Sequence, residues 1–288
     1  MGGAKHSELI GRIVSTACLV VLAAIWIIPI IWALGASFKP DLYTDTELLF
    51  PTAENWTWQN YEYLLFNGEY PVLRWILNSF VVALISTTLY LIVVSFAAYA
   101  LVFVDFRFKN LIFNLILASM MIPGIVTFIP MYNLMESFGW AGAVDATYFL
   151  SLIFPGLGGV FGLFLIRSFF LNIPKELVES CKVDGSNNFQ IFFRVILPIG
   201  KSAIFVAAIF AFLGNWNDFM WPQQMSIGVQ LFQPELLTLP VGLAKLSGAK
   251  TGDVSPLAGA VLSAIPVMLV YVFAQKYIID GVSRSGMK

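Results

Sequence analysis

The sequence predicts an all-α integral membrane protein with six transmembrane helices and a short cytoplasmic helical segment between the fourth and fifth. Three observations carry that expectation. Of 288 residues, 59% are hydrophobic and only 11% charged, with a mean hydropathy of +0.82; a soluble domain has about 45–50% and about 25%. Six apolar runs are long enough to cross a hydrocarbon core of roughly 30 Å: residues 13–37, 76–104, 110–134, 147–170, 202–222 and 255–278. The Lys and Arg residues also segregate. Lys5, Arg12, Arg107, Lys109, Arg167, Lys175, Lys182, Arg194, Lys201, Lys276, Arg284 and Lys288 fall in one set of alternate loops, and Lys39, Arg74, Lys245 and Lys250 in the other. Positively charged flanks stay on the cytoplasmic side, so both termini and the loop between spans four and five are expected in the cytoplasm.

The elements follow in chain order. The first run exceeds the 7–15 residues usual for a signal-peptide core, and Ala33-Leu34-Gly35-Ala36 is a weak cleavage site, so it reads as a span. The external segment 38–75 carries Asp41, Asp45, Glu47, Glu54, Glu62 and Glu69 among Trp56, Trp58, Tyr61 and Tyr63, rings that suit a membrane interface. Asn55-Trp56-Thr57 has the glycosylation spacing, which matters only in a eukaryotic secretory pathway. Pro123-Gly124 and Pro130 in the third span, and Pro155-Gly156-Leu157-Gly158-Gly159 in the fourth, are expected to break or thin their helices and to let neighbours approach closely. No internal repeat or large extramembrane region divides the chain, so residues 1–288 read as a single membrane domain.

Composition also excludes. A net charge of -1 with no basic patch leaves no nucleic-acid face. One histidine, His6, and two dissimilar cysteines, Cys18 and Cys181, offer no metal or disulfide framework.

The polar stretch Glu179-Ser180-Cys181-Lys182-Val183-Asp184-Gly185, continuing to Pro198, needs its own account. Pro174 stands where a helix begins, Asn172 is placed to cap it, and Gly185 to end it in the left-handed conformation. Ser186 or Asn187 then caps a second helix whose Phe189, Phe192, Phe193, Ile196 and Leu197 form one apolar stripe, interrupted by Pro198. Each helix is half a span long, so both are expected along the cytoplasmic surface. An amphipathic connector on lipid headgroups is one reading; the acidic, weakly apolar first helix favours a plug for a cleft in a soluble protein. Gly200-Lys201-Ser202 imitates the end of a phosphate-binding loop, which needs a glycine five residues earlier, following a strand, but Val195 holds that place.

These residues resemble the cytoplasmic loop of bacterial ABC-importer permeases: Glu-Ala-Ala, three residues, Gly, nine residues, Ile, one residue, Leu-Pro. Glu179-Ser180-Cys181, Gly185, Val195, Leu197 and Pro198 fall at those spacings, with small and apolar replacements. Arg74-Trp75-Ile76-Leu77-Asn78-Ser79-Phe80, Ala97-Ala98-Tyr99-Ala100, Asn215-Trp216-Asn217-Asp218-Phe219-Met220-Trp221-Pro222, Leu237-Thr238-Leu239-Pro240 and the tail with Gly281, Gly286 and Lys288 resemble the maltose-type carbohydrate branch. The resemblance implies a type I importer in the bacterial inner membrane. Its partners would be a second homologous permease in a heterodimer, two cytoplasmic ATPase subunits and an external sugar-binding protein, besides membrane lipid. ATP and Mg would belong to the ATPases, with no cofactor and no catalytic residue in this chain.

By the same resemblance, region 172–198 contains the coupling helix, with Glu179, Ser180, Cys181, Asp184, Gly185, Leu197 and Pro198 forming the contact. Amides and aromatic rings suit sugar recognition, which makes Tyr132, Asn133, Asn215, Trp216, Asn217 and Asp218 candidates for the substrate pathway or an outer gate. Asp218 lies about 24 Å above Ser202 at helical rise, near the external boundary. The expected cargo is a di- or oligosaccharide, with a glycerol phosphate or polyol as the alternative. A secondary transporter would need midplane acids, and a membrane enzyme would need convergent catalytic groups; the sequence supplies neither.

Overall fold

The protein's computed structural model describes residues 2–39, 56–66, 70–248 and 256–285, with side chains for 9–39, 56–66, 70–246 and 256–275. Asp41, Asp45, Glu47, Glu54, Asn55, Glu69, Lys250, Gly286 and Lys288 lie outside the described residues. Among the described residues every regular element is helical. In chain order these are α1 (Gly2–Ala36), α2 (Gln59–Phe66), α3 (Val72–Phe103), α4 (Lys109–Ser119), α5 (Gly124–Ser137), α6 (Thr147–Ile153), α7 (Val160–Phe170), α8 (Lys175–Val183), α9 (Asn188–Ile191), α10 (Leu197–Ile199), α11 (Lys201–Asn217), α12 (Met220–Met225), α13 (Val229–Phe232), α14 (Leu239–Gly248) and α15 (Pro256–Ser285).

Three of these are long and apolar enough to cross a membrane unaided: Leu9–Ala36, Val72–Phe103 and Pro256–Gln275. The remaining apolar runs are bent pairs. Lys109–Ser119 and Gly124–Ser137 meet at 99°, Thr147–Gly158 and Val160–Phe170 at 41°, and Asn188–Ile199 and Lys201–Asn217 at 79°. The breaks have local causes. Pro123 takes ψ 130, outside the helical region, and has no N–H to continue the ladder. Pro155 opens a single 3₁₀ turn, Pro155–Gly158. Pro29, Pro130 and Pro266, by contrast, stay inside helices.

Two boundaries differ from the expectation. The fifth run does not continue as one helix to residue 222: α11 ends at Asn217, because Asp218 is extended at φ -66, ψ 126, and α12 restarts at Met220. Nor does Pro198 interrupt the helix that precedes it. A π-helical turn, Phe192–Ile196, widens the backbone just before it, with the Leu197 N–H reaching the Phe192 carbonyl. That wider turn relieves the clash of a proline ring with the carbonyl four residues back. The bend comes instead at Gly200, where a Cβ would strike the Phe170 ring.

The chain divides into two compact units, residues 1–70 with 243–264, and 71–242 with 265–288. In the first, the turn after α1 is held by α2. Asn60, fully buried, donates through Nδ2 to the carbonyls of Ser37 (2.9 Å) and Lys39 (2.8 Å), and Phe38 stacks on Trp56 at 4.3 Å.

The second unit is organised around α3, which packs against α11 and α7. Lipid tails are as apolar as leucine, so close packing rather than exclusion of water holds such helices together. Tyr90 shows the device: its ring fills a notch that Gly159 and Gly162 leave at the start of α7, where any Cβ would overlap it. The hydroxyl faces the backbone N–H of Gly162, one of the first donors of a helix that have no carbonyl within it. Gly162→Ala therefore overpacks the notch, and we expect a loss of about 1–3 kcal/mol, read as a lowered thermal unfolding temperature of the detergent-purified protein.

Candidate functional site

One end of the second unit is an apolar cluster built from α3 (Tyr99, Phe103), α4 (Phe113), α7 (Ile166, Phe170) and the 188–199 segment (Ile191, Phe192, Ile196). Phe96 stacks on Phe192 at 4.5 Å, and Tyr99 meets the same ring edge-on at 5.4 Å. Onto this cluster α8 is fastened by very little of its own surface. Val178 is its one fully buried side chain, and Cys181 is half-buried against the same cluster.

Local sequence explains why nine residues hold a helix so shallowly anchored. Glu176 lies in the first turn and Lys182 in the last, each at the end of the helix dipole that favours its sign. The C-terminus closes as a complete Schellman motif. The Ser186 N–H reaches the Cys181 carbonyl at 2.9 Å, the Gly185 N–H reaches the Lys182 carbonyl at 3.0 Å, and Gly185 has φ +82. Asn187 then starts the next helix with a reciprocal capping box: its Oδ1 accepts from the Gln190 N–H, and Gln190 Oε1 accepts from the Asn187 N–H, both at 2.9 Å. Asn172 does not cap α8. Its Nδ2 donates to the Ser168 carbonyl at 2.9 Å, and Pro174, extended at ψ 131, takes the N-cap position.

The expected contact residues separate into two groups. Glu179, Ser180, Asp184, Gly185 and Pro198 are exposed, whereas Cys181 and Leu197 turn into the cluster. Val183, 87% exposed, adds an apolar tip beside the acidic face. Gly200-Lys201-Ser202 lies at a helix-to-helix bend, not after a strand.

At the other end of α11 the pathway candidates are placed unequally. Trp216 is buried and stacked on Phe212. Asn215 and Asn217 each turn an amide N–H back to their own helix, onto the Ala211 carbonyl at 2.8 Å and the Leu213 carbonyl at 2.9 Å. The Asp218 carboxylate faces the backbone N–H groups of Phe219 and Trp221, where α12 begins. Tyr132 and Asn133 lie on α5, which meets this region through the edge-on contact of Phe128 with Trp221 at 5.3 Å. Among the described residues no hydrogen bond joins Tyr132 or Asn133 to residues 215–218.

Two arrangements at this end carry no single-residue signal in the sequence. Residues 234–242 are clamped to the start of α3. Trp75 Nε1 donates to the Pro234 carbonyl (2.7 Å), Asn78 Nδ2 to the carbonyls of Glu235 (2.8 Å) and Leu237 (3.0 Å), and the Leu239 N–H to Ser79 Oγ (2.7 Å). Gly242 admits the Trp75 ring. The segment after α11 is pinned as well: Trp221 Nε1 donates to the Ser151 carbonyl (2.8 Å), and the Gly142 N–H to the Met225 carbonyl (2.9 Å), with Gly228 against Gly142. Buried Tyr148 stands behind this segment, facing Ser226 and Asp218 without a hydrogen bond of ordinary geometry to its hydroxyl.

The chain is a set of apolar helices with a capped polar helix docked at one end, and comparison with known families gives it a role. The profile described as "Binding-protein-dependent transport system inner membrane component" matches residues 92–284. The chain belongs to that family. As such an inner membrane component it is a multi-pass permease subunit of an ABC importer, not an enzyme; ATP hydrolysis belongs to separate subunits. It is 31% identical over 285 residues to the arabinooligosaccharides transport system permease protein AraQ of Bacillus subtilis, 96% of each chain. It is also 31% identical over 291 residues to the galactooligosaccharides transport system permease protein GanQ of the same organism, 99% of this chain and 98% of that one. Among solved structures, a chain of a bacterial ABC transporter involved in the import of the acidic polysaccharide alginate superposes with a TM-score of 0.73 at 23% identity, covering 94% of this chain and 97% of that one, which shows the shared fold.

The clamp gives a direct expectation for this permease. Asn78→Ala leaves two carbonyls of the 234–242 segment without their donor, and we expect a loss of about 1–3 kcal/mol, seen as a lower unfolding temperature and faster proteolysis after residue 230. Asn187→Ala removes the capping box, for about 1 kcal/mol, measured the same way.

Proposed function

We propose that this permease crosses the membrane six times, each bent pair counting as one span, and carries a di- or oligosaccharide inward. The reading takes α8 as the coupling helix and region 172–198, together with both termini, as cytoplasmic. The alternation of basic loops supports the orientation. The cargo class is supported by full-length relatives at equal identity whose names specify arabinooligosaccharides and galactooligosaccharides; equal identity does not choose between those sugars.

The single observation that carries the mechanism is the exposure pattern of α8. It is capped at its C-terminus, anchored by Val178 and Cys181, and turns Glu176, Glu179, Ser180 and Asp184 outward. A surface lipid helix buries an apolar face in the headgroup boundary; this helix offers carboxylates instead. In this reading α8 seats in a groove of an ATPase subunit, and Glu179 meets a basic residue there. ATP and Mg stay in the partner ATPases. When these close on nucleotide, α8 is pushed as a rigid piece. Its motion passes through the Gly185 turn, the 188–199 arm and the Gly200 bend to α11, whose outer end at Asn215, Trp216, Asn217 and Asp218 borders the pathway, with Tyr132 and Asn133 on α5 as further candidates. A second, homologous permease supplies the other wall, and an external binding protein delivers the sugar.

Glu179→Lys is expected to leave membrane insertion intact and to lower sugar uptake at least about tenfold, the scale of a lost charge-paired contact, while ATP hydrolysis no longer responds to the loaded binding protein. Unchanged uptake would remove Glu179 from the coupling role. For the cargo, thermal shift of the partner binding protein across a panel of sugars should select a di- or oligosaccharide over monosaccharides, polyols and glycerol phosphate.

A further inference from the structure

Arg167 lies three residues before the end of α7, at the edge of an apolar run, where an ionised group is costly unless something answers its charge. Within the described residues no carboxylate does. Arg167 forms no ion pair, and its Nε is buried without a hydrogen-bond acceptor. One face of the guanidinium lies on the Phe113 ring, 3.8 Å from its centroid. This contact stabilises the charge but satisfies no N–H.

The surroundings extend the pattern. Phe113 is one turn on from Lys109, roughly 6 Å along α4. Phe108, which precedes that helix, has φ 69, an uncommon conformation for a bulky side chain, and its ring is 60% exposed. The Arg107 guanidinium lies over that ring at 4.8 Å. The nearby carboxylate, Asp105, is already taken: Lys109 Nζ hydrogen-bonds it at 3.0 Å and holds it below its ordinary pKa, with further help from Lys175 and Lys182. Arg107 and Arg167 are thus left with charge and donors but no carboxylate, Arg107 over the exposed Phe108 ring and Arg167 on the buried Phe113 ring, at the end of a membrane-spanning pair.

We propose that Arg167, with Phe113 beneath it and Arg107 and Phe108 at the rim, is a binding site for the phosphodiester headgroup of an anionic phospholipid. A guanidinium presents a planar fork of donors that matches phosphate oxygens, and its apolar stem can lie along α7 while the head reaches the headgroup layer. Phe108 inserts beside the acyl chains. The site does not depend on which solute the permease carries.

The test uses the intact importer complex, released in detergent and titrated with phosphatidylglycerol or phosphatidylcholine under native mass spectrometry. The wild-type complex is expected to retain phosphatidylglycerol over phosphatidylcholine by about tenfold, the scale of one hydrogen-bonded charge pair. Arg167→Gln should abolish most of that preference, Arg167→Lys should keep part of it, and Arg107→Gln should reduce it less. Arg12→Gln, at a basic position on α1, should leave it unchanged. A preference unaltered in Arg167→Gln overturns the proposal. So does displacement of the lipid by millimolar inorganic phosphate, which would make this a free-phosphate site, and so does loss of a protein subunit at unaltered lipid preference, which would give Arg167 a protein partner. Should Arg167→Gln fail to assemble, an unaltered preference in both Arg167→Lys and Arg107→Gln overturns it equally.

Discussion

Inside a bilayer every backbone N–H and C=O must find its partner within the protein, and several of the breaks between apolar helices in this chain supply such partners. Met120, Met121 and Ile122 close tight turns onto the carbonyls of Leu117, Ala118 and Ser119 before Pro123. Gly159 caps α7 with no side chain of its own, and the Tyr90 hydroxyl faces the Gly162 N–H. At Gly200 the N–H returns to the Ile196 carbonyl at 2.8 Å. Asp218 turns its carboxylate to the N–H groups that open α12. These bends thus pair backbone groups that a break would otherwise leave free.

That constraint also shapes how movement at one end is felt at the other. Between α8 and α12 the chain is a series of helical segments joined at short breaks: the 184–187 turn with Gly185 at positive φ, the Gly200 bend of 79°, and residues 218–219 with Asp218 extended. Displacing a capped helix is cheaper than unwinding it, since unwinding exposes donors that lipid cannot satisfy. Both ends of α3 hold parts of this region, one through the Phe96, Tyr99 and Phe192 rings and the other through Trp75, Asn78 and Ser79, which bind residues 234–239. The long unbroken α3 is therefore the frame against which the jointed segments are positioned.

Much of this was legible in the residues. The apolar runs, the Gly185 stop and the Asn187 cap follow from length, φ requirement and side-chain chemistry, each of which acts within a few positions. What escaped was non-local. The tolerance of Pro198 depends on a π turn upstream, and the real bend at Gly200 depends on the Phe170 ring from another helix. Asn172 has the right chemistry for a cap, but the Ser168 carbonyl competes for it successfully. The motifs beginning at Arg74 and at Leu237 stand out individually, yet their spacing along the chain gives no sign that Asn78 and the 234–239 carbonyls are partners. Among the pathway candidates, Asn215 and Asn217 look alike in sequence. The structure makes Asn215 half-buried and Asn217 exposed.

The central claim is that α8 is the surface through which an ATPase moves this permease. The most direct measurement is cross-linking from Val183, whose side chain is exposed beside the acidic face. With Cys18 and Cys181 replaced by alanine, Val183→Cys carrying a short cross-linker should couple to an ATPase subunit, in a yield that changes with bound nucleotide, and should block uptake until the link is cleaved. A Val183 position that stays freely reactive towards water-soluble reagents in the assembled importer, with no ATPase adduct in any nucleotide state, would contradict it.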